Sequence, residues 1–277
     1  MDLELLASGY KLVEAPRTDG ENNLYFSDIL GGGVYRRSPT GHIETLVPDR
    51  RWVGGLALHA DGGFVISGKD VVHWKDGETR QLLTAEGINS FNDLHTDAAG
   101  RVYTGCIRQS MDDPDAPKTP GEAYRINLDG STEVLYGDVG ASNGIGFSPD
   151  GTILYHSDST GKCVIAHDID AQGRVSNRRA AVRFERGIPD GMCVDTDGNL
   201  WVAHVGGRRV AKFSPAGDLL DEIPVPAKAV TSCAFGGPDM AELYIVSADN
   251  TDDAALRGCI WRCRPGATGL PTPLARV

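Results

Sequence analysis

The stretch that decides the fold is Asp190–Val205, DGMCVDTDGNLWVAHV. It opens on a carboxylate, runs through the apolar GMCV, turns at DTDG and leaves through LWVAHV. A short apolar run, a Gly/Asp turn and an aromatic-bearing second run read as a β-hairpin, because glycine accepts the positive φ that tight connections demand. The pattern recurs along the chain. It appears as EAPRTDGENNLYFSDI from Glu14, GLALHADGGFVISG from Gly55 and NDLHTDAAGRVYTGC from Asn92. It returns as NGIGFSPDGTILYHSDS from Asn143 and SCAFGGPDMAELYIVSA from Ser232. Hairpins repeating every roughly 40–50 residues have the period of propeller blades.

A second strand pair follows each hairpin, from GVYRRSPTGHIETLV after the first to CIWRCRPGATGLPTPLARV after the sixth. Four strands per unit is the content of one blade. The expectation is an all-β, six-bladed β-propeller with four-stranded blades, occupying 1–277 as a single domain. No segment carries an i, i+3, i+4, i+7 apolar stripe without glycine or proline cutting it, so no helix is expected. The N-terminal LELLASGYKLV has strand character and no hairpin partner. Pairing it with the last blade closes the ring and removes an exposed sheet edge. The long polar interruption Arg108–Glu122, RQSMDDPDAPKTPGE, reads as an irregular excursion placed as a lid over one face.

Composition narrows the function. The 27 basic residues are outnumbered by 38 acidic ones, a formal net charge of −11, so the basic footprint that nucleic acid requires is missing. The same acidity disfavours an anionic membrane, and no apolar run is long enough to span one. The N-terminal residues lack the basic and apolar regions of a signal peptide. Cys106, Cys163, Cys193, Cys233, Cys259 and Cys263 contain no CxxC pair and read as free thiols in a reducing cytoplasm. Nothing in the sequence sets an oligomeric state.

In a propeller the first strand of each blade lines a central channel, so equivalent repeat positions form a ring. The residues at the head of the hairpins are Glu14, Gly55, Asn92, Asn143, Asp190 and Ser232. Asn, Asp and Ser commonly begin strands for their turn chemistry alone. Turn chemistry does not call for Glu14 before Ala15-Pro16, and it does not ask for convergence on one axis. Carboxylates crowded around a narrow channel repel one another, and a cation is the natural partner. An all-oxygen donor set favours a hard ion. Ca²⁺ is the expected one, with Mg²⁺, Mn²⁺, Fe²⁺ and Zn²⁺ as alternatives.

At these residues the sequence resembles the senescence-marker-protein, regucalcin and gluconolactonase family of six-bladed propellers. The stretches that carry the likeness are SNGIGFSPDGTILYHSDS, SNRR, IPDGMCVDTDGNLWVA and TSCAFGG. The resemblance implies a metal-dependent lactonase, with Glu14, Asn143 and Asp190 binding one divalent cation. It further implies that Asn92 contacts substrate or metal on the same rim, with Asp93 beside it. Two positions depart from the family pattern. Ser90 stands where sugar-lactone members carry arginine, which removes a donor for sugar hydroxyls and points to lactones less polar than aldonolactones. Ala15 stands where the family has glycine.

The expected chemistry is attack of water on a small lactone whose carbonyl the cation polarises. Asp190 is the candidate base, with water activated at the cation as the alternative. Trp52, just before Gly54-Gly55, is a candidate wall of the substrate pocket. His59, His95 and His204 read as structural. Two other readings stay open: a non-catalytic calcium-binding propeller, and a phosphotriester hydrolase on the same scaffold.

Overall fold

The computed structural model describes residues 2–110, 117–248 and 253–277. Among them, six four-stranded antiparallel sheets form the blades of a β-propeller. The innermost strands are Val13–Thr18, Leu56–Leu58, Ser90–Thr96, Ser142–Phe147, Ile188–Val194 and Val230–Gly236. Each touches the innermost strand of the next blade, and the sixth touches the first, so the ring is closed.

The hairpin turns show why the repeat carries aspartate and an aromatic residue at a fixed spacing. In blade 5 the Asp195 carboxylate accepts the backbone N–H groups of Asp197 and Asn199 at 3.1 and 2.8 Å, and the indole N–H of Trp201 at 3.0 Å. In blade 3, Asp97 accepts from Ala99, Arg101 and the Tyr103 hydroxyl. In blade 1, Asp19 accepts from Glu21, Asn23 and the Tyr25 hydroxyl. One side chain thus closes the turn and supplies the polar partner of a buried ring in the following strand. Those rings fill the wedges between blades. Trp201 is packed edge-on against Phe235 of blade 6, with centroids 5.6 Å apart.

Closure follows the expected route in part. Glu4–Ala7 pairs with Ile260–Cys263 and completes the sixth blade. The expectation of a second strand pair within residues 259–277 is corrected: only Ile260–Cys263 is a strand there. Pro265, Pro271 and Pro273 remove the donors another strand requires. The remaining tail crosses the end of the channel. It bridges Gly269 to Asp195 of blade 5, gives the Pro273 carbonyl to the Thr96 hydroxyl of blade 3, and pairs Ala275 with His59 of blade 2. His59 is held there by the Val277 carbonyl at 3.1 Å.

A single 3₁₀ turn, Ala254–Leu256, is the one helical element among the described residues. No disulfide joins the six cysteines, four of which are buried. The base of the polar excursion is pinned by the Arg108–Glu122 ion pair at 2.9 Å. Its central residues 111–116, on which the lid expectation falls, lie outside the described residues.

Candidate active site

Glu14, Asn92, Asn143 and Asp190 all lie at the end of the channel where the innermost strands begin. Each sits on a β-bulge. The strand register slips between Glu14 and Arg17, between Phe91 and Leu94, between Ser142 and Ile145, and between Pro189 and Met192. Each slip sets two residues of the innermost strand against one of its neighbour. The extra residue breaks strict alternation, so a polar side chain turns to the axis while the flanking residues keep their core-facing register. Glycines make the approach of the strands possible. A Cβ on Gly191 would collide with the Ser232 hydroxyl, and one on Gly54 with the Asn92 amide oxygen.

A chain of hydrogen bonds ties three blades together at this end. The Asn92 amide nitrogen donates to the Ser142 carbonyl at 2.8 Å and to the Asn143 amide oxygen at 3.2 Å. The Asn143 nitrogen donates to the Ser159 hydroxyl at 3.1 Å. Ser159 in turn donates to the Pro189 carbonyl at 2.7 Å, immediately before Asp190. With its nitrogen engaged on Ser159, Asn143 keeps its oxygen on the side of the amide that meets Asn92.

Three carboxylates share the centre. Glu14, Asp190 and Asp93 are 5%, 7% and 2% exposed. Burial, then the charges of Asp190 and Asp93, push Glu14 well above the usual carboxylate range. Burial, then Asp93, does the same to Asp190. Burial also raises Asp93, against the pull of Arg17. The Arg17 guanidinium reaches Asp93 at 3.2 Å and the Leu94 and Pro16 carbonyls at 2.8 Å. Arg17 therefore belongs to Asp93, and Glu14 and Asp190 have no ion-pair partner among the described residues. Near them the Ser232 hydroxyl is buried without a hydrogen-bond partner. Two buried, uncompensated carboxylates beside an amide oxygen fit a hard divalent cation. Among the described residues no three His, Cys, Asp or Glu side chains stand at metal-ligand spacing. An ion there would draw on Glu14, Asp190 and the Asn143 oxygen.

The other expected residues occupy distinct places. Ser90 is buried at the mouth end of its strand, opposite Ile107. Asp93 points its carboxylate to Arg17 and to the Leu94 N–H at 2.8 Å. Trp52 is partly exposed and takes a left-handed backbone, φ 65°, rare for a bulky residue and a sign of local strain. Ala15 is likewise left-handed, φ 52°, at the position where the family pattern has glycine. His204 is buried and packed edge-on against Phe184. Sequence reasoning missed Arg17 and Ser159. The signal for Arg17 was a cation inside an innermost strand, in EAPRT; Ser159 left none beyond a hydroxyl at the end of HSDS.

Known proteins resemble this chain over nearly its whole length. A 6-deoxy-6-sulfogluconolactonase of Pseudomonas putida is 34% identical over 271 residues, covering 92% of this chain and 91% of its own. A regucalcin of Danio rerio is 37% identical over 268 residues, covering 91% and 90%. The solved structure of a luciferin-regenerating enzyme superposes over 100% of this chain and 99% of its own, with a TM-score of 0.89 and 28% identity. Residues 12–249 match the SMP-30/Gluconolactonase/LRE-like region. The chain belongs to the SMP-30/gluconolactonase/LRE-like family.

Proposed function

We propose that the protein is a divalent-cation-dependent lactonase that hydrolyses small lactones less polar than aldonolactones. The observation that carries this reading is the pair Glu14 and Asp190: two carboxylates buried at the channel mouth with no cationic partner among the described residues. The gluconolactonase relative supports lactone ring opening, and Ser90 in place of arginine supports the less polar substrate.

A divalent ion bound by Glu14, Asn143 and Asp190 would supply Lewis-acid polarisation of the lactone carbonyl. The chain's own residues do the rest. Asn92, beside Asn143, is read as a substrate contact on the same rim. Asp190 accepts the proton of the attacking water and returns it to the ring oxygen as the ester C–O bond breaks, giving the hydroxy acid. Asp93 cannot serve as that base, because Arg17 holds its carboxylate. Trp52, at the rim, supplies an apolar wall.

The test is to identify the ion in protein purified without added metal, then to assay γ-valerolactone, gluconolactone and an organophosphate with and without chelator. Acid release from γ-valerolactone that chelator abolishes and the restored ion recovers is expected. Hydrolysis of the organophosphate alone, or calcium binding with no turnover of any of the three, would overturn the proposal in favour of another hydrolase or a non-catalytic binder.

A further inference from the structure

A cavity of about 600 Å³ opens at the other end of the channel. None of Glu14, Asn92, Asn143 or Asp190 lines it. Phe147, Ile169, Val194 and Phe235 form its walls, and the tail residues Leu270 and Pro273 form its roof. Its size lies within the range of small-molecule pockets, and its walls are of the apolar kind such pockets use.

The polar groups facing it define what it takes. Arg17 lines it; its two terminal nitrogens are committed to Asp93 and to the Leu94 and Pro16 carbonyls, while its Nε is buried without a partner among the described residues. Asp97 and Asp170 also line it but are paired with Arg101 and Arg174, which among the described residues leaves the exposed Asp150 as the one lining carboxylate without an ion pair and no lining cation free to meet an anion. The charge balance thus disfavours an anion, and the apolar walls of Phe147, Ile169, Val194 and Phe235 favour a neutral occupant. His95 also lines the cavity. Its Nδ1 lies 2.9 Å from the Thr96 carbonyl, which only accepts, so Nδ1 carries the proton and Nε2 is left as an acceptor. Burial, then Arg17, push the His95 pKa down to about 4, which keeps the ring neutral near pH 7. Phe147 holds that ring edge-on at 5.7 Å.

We propose that this cavity is a second small-molecule site, distinct from the carboxylate end of the channel, selecting a neutral, ring-sized apolar compound whose one hydroxyl donates to His95 Nε2. The proposal is independent of the lactonase reading.

Cys193 provides a reporter. It lines the cavity and is partly exposed, while Cys233, 3.7 Å away, is buried. 2-Naphthol is the probe, with naphthalene lacking the hydroxyl and 2-naphthoate adding a charge. Two readouts serve: the iodoacetamide alkylation rate of Cys193 by peptide mass mapping, and the dissociation constant by fluorescence titration. 2-Naphthol should bind saturably and slow Cys193 alkylation, with or without calcium. Naphthalene should bind about three- to tenfold more weakly, the usual worth of one hydrogen bond. 2-Naphthoate should bind more weakly than 2-naphthol. His95→Phe keeps a ring against Phe147 and removes the acceptor, so it should erase the preference for 2-naphthol over naphthalene while leaving lactone turnover unchanged. Soaking wild-type crystals with a brominated naphthol locates the compound by its anomalous signal if the variant fails to fold. The absence of protection at Cys193, a preference that survives in His95→Phe, bromine at the carboxylate end, or loss of binding in Asp190→Ala would each overturn the proposal.

Discussion

The Asn143 amide nitrogen stands 3.1 Å from the Ser159 hydroxyl, and Ser159 reaches on to the Pro189 carbonyl at 2.7 Å. One buried side chain thus sets the direction of the Asn143 oxygen and fixes the bulge that aims Asp190. Removing such an orienting partner commonly costs 10–100-fold in ion affinity. Ser159→Ala should weaken calcium binding by about tenfold or more in a calorimetric titration, with little change in chelator-treated melting temperature. Ser159→Thr retains the hydroxyl and should recover most of the affinity. Equal affinity in the alanine variant and the wild type would remove Ser159 from the site's support.

The crowding of Glu14 and Asp190 has a pH signature. Both are raised above their ordinary values of 4.5 and 3.8 by burial and by neighbouring carboxylates. In ion-free protein the folded state therefore holds these protons more tightly than the unfolded chain. Their contribution to stability is full below about pH 4 and is lost as pH rises through the folded values. A cation bound there would replace the protons and cancel the loss. The rise in melting temperature on adding calcium should therefore grow between pH 5 and pH 8. Glu14→Gln should raise the ion-free melting temperature at pH 8 relative to wild type and abolish most of the calcium effect. A calcium-induced rise that is flat or shrinks over that window would contradict the assignment of the two carboxylates.

Much of the architecture was legible because it is written in local chemistry. A turn aspartate, a glycine and an aromatic ring recur in the hairpins, and their period alone fixes blades in a ring. That Glu14, Asn92, Asn143 and Asp190 share one end of the channel was legible from their places at the hairpin heads. What converts heads of strands into a convergent cluster is not local. The bulges at 14–17, 91–94, 142–145 and 189–192 insert one residue each and leave no mark in composition. Arg17 meets Asp93 across 76 residues of chain, a pairing that exists only once blades 1 and 3 face one axis. The tail looked like a strand pair because CIWRC begins one, and its prolines then carried it across the channel instead.

The turn aspartates carry a structural prediction. Asp195 is buried and satisfies two backbone N–H groups and the Trp201 indole. Its removal leaves those donors without a charged acceptor in a dry wedge between blades 5 and 6. Asp195→Ala should destabilise the fold by about 3 kcal/mol, since each hydrogen bond to a charged group is worth roughly 1.5–3 kcal/mol and part of the loss is recovered by water. Urea unfolding followed by tryptophan fluorescence measures it. Asp195→Asn keeps one acceptor oxygen and should lose less. A loss below about 1 kcal/mol in the alanine variant would mean that the turn closes without this side chain.

Ser90 offers the sharpest test of substrate class. It lies two residues before Asn92 on the same innermost strand, at the channel mouth, and its short hydroxyl offers a single donor to a polyhydroxylated ring. An arginine there would bring a planar guanidinium with several N–H donors to the rim. A single new hydrogen bond from a charged donor is worth roughly 1.5–3 kcal/mol, and every 1.4 kcal/mol is tenfold in specificity. Ser90→Arg should therefore raise kcat/KM for gluconolactone relative to γ-valerolactone by about tenfold, with the change in KM rather than kcat, because the contact is to hydroxyls remote from the carbonyl. Melting temperature and calcium affinity measured on the same preparation show whether the buried position has accepted the larger side chain. With both intact and the ratio unmoved, Ser90 would not face the substrate, and the preference for less polar lactones would have to rest on Trp52 instead.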